Sequence, residues 1–137
     1  MLRTFSAIAI GATVLGLTAL PALPASAAPA SHPKVHAYTV PSVTGIKAWG
    51  TYSFSGGKAH ITVCVKETAS STAFGLAVGT AFNAAITKNQ SVHTEVIGAG
   101  KQKCTSMVTK YTAHFWVAAS SGTTGGQLHN GKAHKVY

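Results

Sequence analysis

The chain has very few acidic side chains. No aspartate occurs in its 137 residues, and the only carboxylate side chains are those of Glu67 and Glu95. A Ser-His-Asp triad is therefore excluded, and a glutamate version lacks the Gly-x-Ser-x-Gly turn that would place the serine. Glycoside hydrolysis would require both glutamates, and we expect Glu67 at a solvated strand end. We predict a protein that is not an enzyme and has no catalytic residues.

Cysteine is equally scarce, since Cys64 and Cys104 are the only two. In a small exported domain such a pair predicts one disulfide. Closing a loop of about 40 residues contributes on the order of 4 kcal/mol in the chain-entropy model. An oxidised pair also excludes a cysteine nucleophile.

Long apolar runs are absent beyond the N-terminus. The apolar residues 5–20 follow Arg3 and precede Ala25-Ser26-Ala27, the pattern of a cleavable secretion signal. The run is shorter than the roughly 20 residues that span a bilayer, so we predict a secreted, extracellular protein with no transmembrane segment in its mature chain. The predicted organisation is a signal peptide at 1–27, a flexible segment at 28–33 and one domain at 34–137.

Lysine dominates the charge of the predicted mature chain. Ten lysines face two glutamates after residue 27, a net charge of +8 with neutral histidines, and no arginine remains. Such a surface attracts polyanions, although lysines also serve simply to keep a surface soluble. The lack of arginine argues against nucleic acid as the natural partner. Lys101 and Lys103, which flank the turn at 98–100, are the predicted binding residues.

Alternating runs over residues 46–67 surround Gly56-Gly57 and predict a two-residue hairpin. Pairing outward from the turn places Tyr52 opposite Ile61 and Gly50 opposite Val63 on an apolar, core-facing side. The opposite side carries Lys47 against Lys66 and Trp49 against Cys64. A bulge near Gly50 that turns Trp49 inward stays open as an alternative.

Further strands are predicted along the rest of the chain. Residues 73–82 alternate large and small side chains, with Phe74 and Phe82 on the parity assigned to the core; a short helix over 81–87 is the alternative. Asn130-Gly131 predicts a terminal hairpin. Other strands are expected at 35–40, 91–97, 103–109 and 112–119. The fold class is all-β, an antiparallel sandwich or barrel of about seven to nine strands with one disulfide.

Histidines are the remaining candidates for site chemistry. His93 and Glu95 share one strand face, and His129 and His134 would be diagonal neighbours in the terminal hairpin, with His60 or His93 as a third ligand. These spacings are wider than those of structural zinc sites. We predict no metal and no cofactor.

Two resemblances accompany these patterns. Trp49, Cys64 and Cys104 resemble the core set of immunoglobulin-like domains. In composition the chain resembles the small Ala/Gly/Thr-rich exported proteins of filamentous actinobacteria, which implies no particular activity. The leading hypothesis is a small secreted, non-catalytic binding protein with a basic surface and an extracellular or cell-wall partner. The alternative is a secreted effector, either a cationic antimicrobial protein or a protease inhibitor, and the third is a small hydrolase.

Overall fold

A computed structural model describes residues 31–137, and this part of the chain contains nine strands and no helix. The alternative helix over residues 81–87 is therefore wrong. The predicted signal peptide, 1–27, lies outside the described residues. The strands are β1 (His36–Thr39), β2 (Ile46–Ser55), β3 (Lys58–Glu67), β4 (Thr72–Phe82), β5 (Asn89–Val96), β6 (Gln102–Thr109), β7 (His114–Thr123), β8 (Leu128–Asn130) and β9 (His134–Lys135).

The strands form two antiparallel sheets that enclose one apolar core. Sheet A has the order β1-β2-β3-β6. Sheet B has the order β5-β4-β7, and both β8 and β9 pair with the other edge of β7. The all-β sandwich predicted from the short alternating runs is confirmed. No helix in the described part of the chain has the length and apolar character needed to cross a membrane.

The β2–β3 hairpin has the register that its sequence predicts. Gly56 and Gly57 form the turn with φ angles of 57° and 70°, which only glycine adopts readily at both positions. Tyr52 lies opposite Ile61, and the inward side chains of β3 are buried. A two-residue turn and one consistently apolar parity leave a single register that buries the apolar side.

Phe115 of β7 is the largest fully buried side chain of the core. A Cβ atom added to Gly79 of β4 would lie 2.7 Å from the Phe115 ring, so the ring occupies the space that a side chain there would need. Sheet A contributes Ile61, Val63 and Val65 to the same core. The two sheets are therefore held together by close apolar packing, and at Val63 they are also joined by a buried hydrogen bond that the Thr94 hydroxyl of β5 donates to the Val63 carbonyl at 2.9 Å.

The parity predicted for β4 is wrong. Ala77 and Ala81 are fully buried, whereas Phe74 and Phe82 on the opposite parity are only half-buried and lie on the outer side of sheet B. Both sides of β4 are apolar in sequence, so alternation alone could not decide which one faces inward. Phe115 decides it at the middle of the strand, because its ring fills the space that a side chain at Gly79 would need on the inner side.

The terminal hairpin is also wrong. β8 and β9 continue in one direction along β7, and between them the Gly131 N–H donates to the Ala119 carbonyl at 2.8 Å. The free edge of β7 is long enough to form backbone hydrogen bonds with both β8 and β9. These hydrogen bonds outweigh the preference of Asn130-Gly131 for a tight turn. The chain then reaches Tyr137, whose ring packs against those of Tyr52, Phe54 and Phe115.

The predicted disulfide is confirmed, but it lies within a sheet. Cys64 of β3 and Cys104 of β6 are directly opposite each other with 4.0 Å between their Cα atoms. In immunoglobulin-like domains the disulfide joins the two sheets. The resemblance to that core is therefore wrong. Trp49 stays on the outer side opposite Cys64, in unbroken register through Gly50, so the alternative bulge is absent.

Candidate functional site

The two glutamates have opposite surroundings. Glu67 ends β3 with its side chain fully buried, and neither carboxylate oxygen has a hydrogen-bond partner among the described residues. The expected solvated position is therefore wrong. Glu67 shares the inward parity of Val63 and Val65, and its N–H donates to the Lys101 carbonyl of the adjoining turn at 3.0 Å. A substrate in solution has no access to this carboxylate.

Glu95 is exposed on β5 together with His93, on the side opposite buried Val92, as the alternation predicts. Both line a groove of about 530 Å³ between the edge strands β5 and β6, which Lys103 also lines. The structure thus places three of the sequence-selected residues around one shallow groove. Residues 31–137 contain no group of three or more potential metal-ligating His, Cys, Asp or Glu side chains.

The histidine pair considered for a metal does not meet. His129 lies opposite Ser121 and His134 opposite Val117, four residues apart along β7. At about 3.3 Å per residue, this separates the two histidines by roughly 13 Å. They cannot ligate one ion, because the predicted hairpin that would bring them together does not form.

All ten lysines of the described residues are exposed. Because Glu67 is buried, Glu95 is the only carboxylate side chain that reaches solvent in this part of the chain. Lysine side chains that face no carboxylate are solvated by water and are free to attract an approaching anion. The surface is therefore more one-sided in charge than the composition alone indicates.

Four lysines gather at the end of sheet A remote from the hairpin turn. Lys47 on β2 lies directly opposite Lys66 on β3, as the hairpin register predicts. Lys101 forms the turn before β6, and Lys103 lies on the edge strand β6 opposite Val65, so it has the opposite parity to Lys47 and Lys66. We call Lys47, Lys66, Lys101 and Lys103 the lysine cluster. Like charges placed directly opposite on a sheet destabilise it unless an anion or water screens them.

A groove of about 610 Å³ adjoins the lysine cluster at Lys47. Trp49 and Lys47, both on the outer side of β2, form part of its lining, and Ser42 and His134 lie on other parts of the wall. An indole face, an ammonium group and a hydroxyl together can contact a sugar ring and a phosphate. Sequence reasoning selected Lys101 and Lys103 but missed Ser42, because only the folded sheet edge brings the loop after β1 to Lys47.

The outer side of sheet B is unexpectedly apolar. Phe74, Leu76, Val78 and Phe82 of β4 and Trp116 of β7 point outward there, and we call these five residues the apolar face. One end of this face forms a groove of about 430 Å³ lined by Val78, Thr80, Phe82, Ile86, Trp116, Ala118 and Ala133. No charged side chain lines this groove.

The loop from β4 to β5 presents Ile86 at the edge of that groove. Ile86 is 58% exposed and has a φ of 55°, a left-handed conformation that is unusual for a β-branched residue. The Asn83 side-chain oxygen accepts hydrogen bonds from the N–H groups of Thr87 and Lys88, both at 2.9 Å, and fixes the loop. The exposure of Ile86 is therefore built into an ordered turn.

No protein-family model matches the chain, and no curated protein matches it in sequence. The two candidate sites for function are therefore surfaces of the molecule itself: the lysine cluster with its groove, and the apolar face.

Proposed function

We propose that the chain is a secreted, non-catalytic binding protein whose partner is an anionic polymer of a bacterial cell wall. The observation that carries this proposal is the exposure of all ten lysines combined with the burial of Glu67. A surface with a single exposed carboxylate attracts a polyanion from any direction, and the attraction weakens as salt screens it.

The lysine cluster is the proposed contact. Lys47 and Lys66 lie directly opposite each other, where Cβ atoms are about 4.5–5.5 Å apart. A phosphate group between two such ammonium groups relieves their repulsion and forms charge-assisted hydrogen bonds with both. The groove beside Lys47 offers Trp49 for the adjoining sugar or polyol unit. A polymer that alternates such units with phosphates fits this pairing of groups.

The remaining features support an extracellular, non-catalytic role. The disulfide and the predicted signal peptide both suit export into an oxidising compartment. Neither cysteine is a free thiol, and Glu67 is sealed from substrate. The groove that holds His93 and Glu95 lacks a second accessible carboxylate, which disfavours the hydrolase hypothesis.

The test measures binding of the mature, disulfide-bonded protein to isolated cell walls over a salt series. The variant Lys47→Gln/Lys66→Gln removes two charges from the lysine cluster, and Lys101→Gln/Lys103→Gln removes the other two. The matched control, Lys58→Gln/Lys110→Gln, removes the same charge from the hairpin end of sheet A. Melting temperatures confirm that all variants fold.

We expect each cluster variant to bind several-fold more weakly at physiological salt, with the control close to the unmodified protein. Walls stripped of their anionic polymers should lose most of the binding. If the cluster and control variants lose the same amount of binding, the interaction is general charge attraction and the lysine cluster is not a specific site. If binding persists both in the cluster variants and on walls without anionic polymers, the anionic polymer is not the partner.

A further inference from the structure

The apolar face has two properties that ordinary solvated sheet surfaces lack. Its groove is lined by aromatic and aliphatic side chains and by Thr80, without a charged group. Trp116 is 36% exposed and lies in the centre of sheet B, opposite Thr80 of β4. Large apolar side chains normally face the interior, so a contiguous patch of them on the outside indicates a contact surface.

Ile86 adds a second, independent observation. A left-handed backbone at a β-branched residue costs folding free energy, and glycine or asparagine would occupy the position with less strain. Five hydrogen bonds between Asn83 and the residues Ile86, Thr87 and Lys88 maintain the conformation. Holding an isoleucine in solvent beside the groove therefore lowers the stability of the fold. This cost indicates that the Ile86 side chain contacts a partner.

Three lysines lie close to residues of the same groove, one by strand pairing and two by their position in the chain. Lys135 lies directly opposite Trp116 in the β7–β9 pairing, Lys132 precedes Ala133 of the groove wall, and Lys88 follows Ile86 by two residues. Glu95, the only exposed carboxylate of the described residues, lies opposite Leu76, outside the groove lining. An apolar centre with a cationic border requires a partner with the complementary arrangement, apolar groups next to negative charge.

We propose that this face docks onto the surface of an anionic lipid bilayer. Trp116, Phe82 and Ile86 enter the region between headgroups and acyl chains, where tryptophan is favoured, and the three lysines contact the headgroup phosphates. A second copy of the chain is a poor occupant, because pairing two such faces would bring their lysine borders together. The proposal is independent of the wall polymer and uses the outer side of the other sheet.

This surface also supplies what the secreted-effector hypothesis needs. A cationic protein that acts on competing cells requires an amphipathic cationic surface. This surface was not evident from the sequence, because the large side chains of β4 alternate as they would in a core-facing strand. In the structure they form that surface on sheet B.

The experiment uses the mature, disulfide-bonded protein with Trp49→Phe, so that Trp116 is the only tryptophan. Vesicles of phosphatidylcholine containing about one third phosphatidylglycerol are compared with vesicles of phosphatidylcholine alone. Binding is measured by co-sedimentation, and insertion by the shift and brominated-lipid quenching of Trp116 emission. Light scattering without lipid reports self-association.

The decisive variant is Ile86→Asn, because asparagine tolerates the left-handed backbone and the fold is retained. Val108→Thr, which removes exposed apolar surface from the outer side of sheet A, is the matched control. We expect blue-shifted, quenched Trp116 emission with anionic vesicles only. Ile86→Asn should weaken partitioning at least five-fold, whereas Val108→Thr and the Lys47→Gln/Lys66→Gln variant should leave it within two-fold.

Three results would overturn the proposal. The first is the absence of binding to anionic vesicles. The second is binding without a change in Trp116 emission, or binding that Ile86→Asn leaves intact, since either would mean adsorption by charge alone. The third is lipid-free self-association that Ile86→Asn abolishes, which would assign the face to a second copy of the chain.

Discussion

Glu67 shows how strongly one buried side chain can shape the surface around it. Its carboxylate is fully buried without a hydrogen-bond partner in the described residues, at the end of a central strand. Burying a polar group in this way opposes folding, so the core is less stable than an all-apolar equivalent. The same burial removes half of the acidic side chains from the reach of solvent, which leaves the lysine cluster almost unopposed.

Replacing this carboxylate by an apolar group is expected to stabilise the protein. Glu67→Leu removes the unpartnered oxygens and keeps a similar volume, so we expect the free energy of unfolding to rise by about 1–3 kcal/mol in urea titrations. Glu95→Leu, at an exposed position, is the control and should change it by less than about 0.5 kcal/mol. A clear loss of stability in Glu67→Leu would show that the carboxylate has a partner within the fold.

The two packed tyrosines predict a loss of stability at alkaline pH. Burial, together with the neighbouring Tyr52, raises the pKa of Tyr137 to about 12, and burial followed by the proximity of Tyr137 raises the pKa of Tyr38 well above its usual range. Above about pH 10 the unfolded chain loses these protons while the folded protein keeps them. The unfolded state then binds fewer protons, so stability is complete below pH 10 and declines as the pH rises towards 12.

Thermal melts between pH 8 and about pH 11.5 test this for Tyr137. Tyr137→Phe removes the buried, unpartnered hydroxyl and should make the alkaline decline shallower than in the unmodified protein. Lysine titration affects both proteins alike and cancels in the comparison. Identical slopes would show that the phenol is free to ionise in the folded state.

Among the strands, the β2–β3 hairpin was predictable in full and β4 only in part. Gly56-Gly57 fixed the turn, and a single apolar side fixed the register, so local sequence contained all the information. β4 is apolar on both sides, and its orientation depends on Phe115, a residue more than 30 positions away. Long-range packing of this kind is not encoded in the local alternation of a strand.

The same contrast explains the candidate sites. The opposition of Lys47 and Lys66 followed from the hairpin register, and the pairing of His93 with Glu95 on one side followed from alternation. The terminal hairpin failed because the free edge of β7 competes with a local turn, a competition that requires knowledge of the sheet order. The apolar face was missed for the reason given for β4.

The close packing of Phe115 against Gly79 allows the orientation of β4 to be tested. In Gly79→Ala the added methyl group would lie 2.7 Å and 2.8 Å from ring atoms of Phe115 and 3.0 Å from Val63, so we expect a loss of about 1–3 kcal/mol in the free energy of unfolding. Gly125→Ala makes the same chemical change where the nearest atom is 3.8 Å away and should be nearly neutral or slightly stabilising. A neutral Gly79→Ala would mean that the core is looser than its geometry indicates.

On the scale of the whole molecule, its two candidate surfaces lie on different sheets, with Lys103 of the lysine cluster at the groove between the edge strands β5 and β6. The lysine cluster belongs to sheet A, and the apolar face belongs to sheet B. The core between them keeps the two surfaces apart. One protein could therefore contact an anionic wall polymer through one side and an anionic bilayer through the other, and loss of either contact need not disturb the other.

The one-sided charge of the molecule also predicts a dependence of stability on salt. Mutual repulsion among exposed lysines opposes the compact state, and added ions screen it. We expect the melting temperature to rise by a few degrees as sodium chloride increases from about 10 mM to 300 mM. Lys47→Gln/Lys66→Gln, which removes the directly opposed pair, should rise less over the same range. A fall in melting temperature with salt would show that attractive ion pairs outweigh the repulsion.

The exposure of every described lysine has a practical consequence for the chemistry of handling the protein. Primary amines are the groups that common labels, cross-linkers and sensor surfaces modify. Here they occur in the lysine cluster, near the apolar face, at the hairpin end and at Lys34 before β1. Random amine coupling would therefore neutralise and cover both candidate surfaces at once. Reductive methylation, which retains the positive charge of each lysine, offers a milder way to mark these amines and to compare their accessibility with and without a partner.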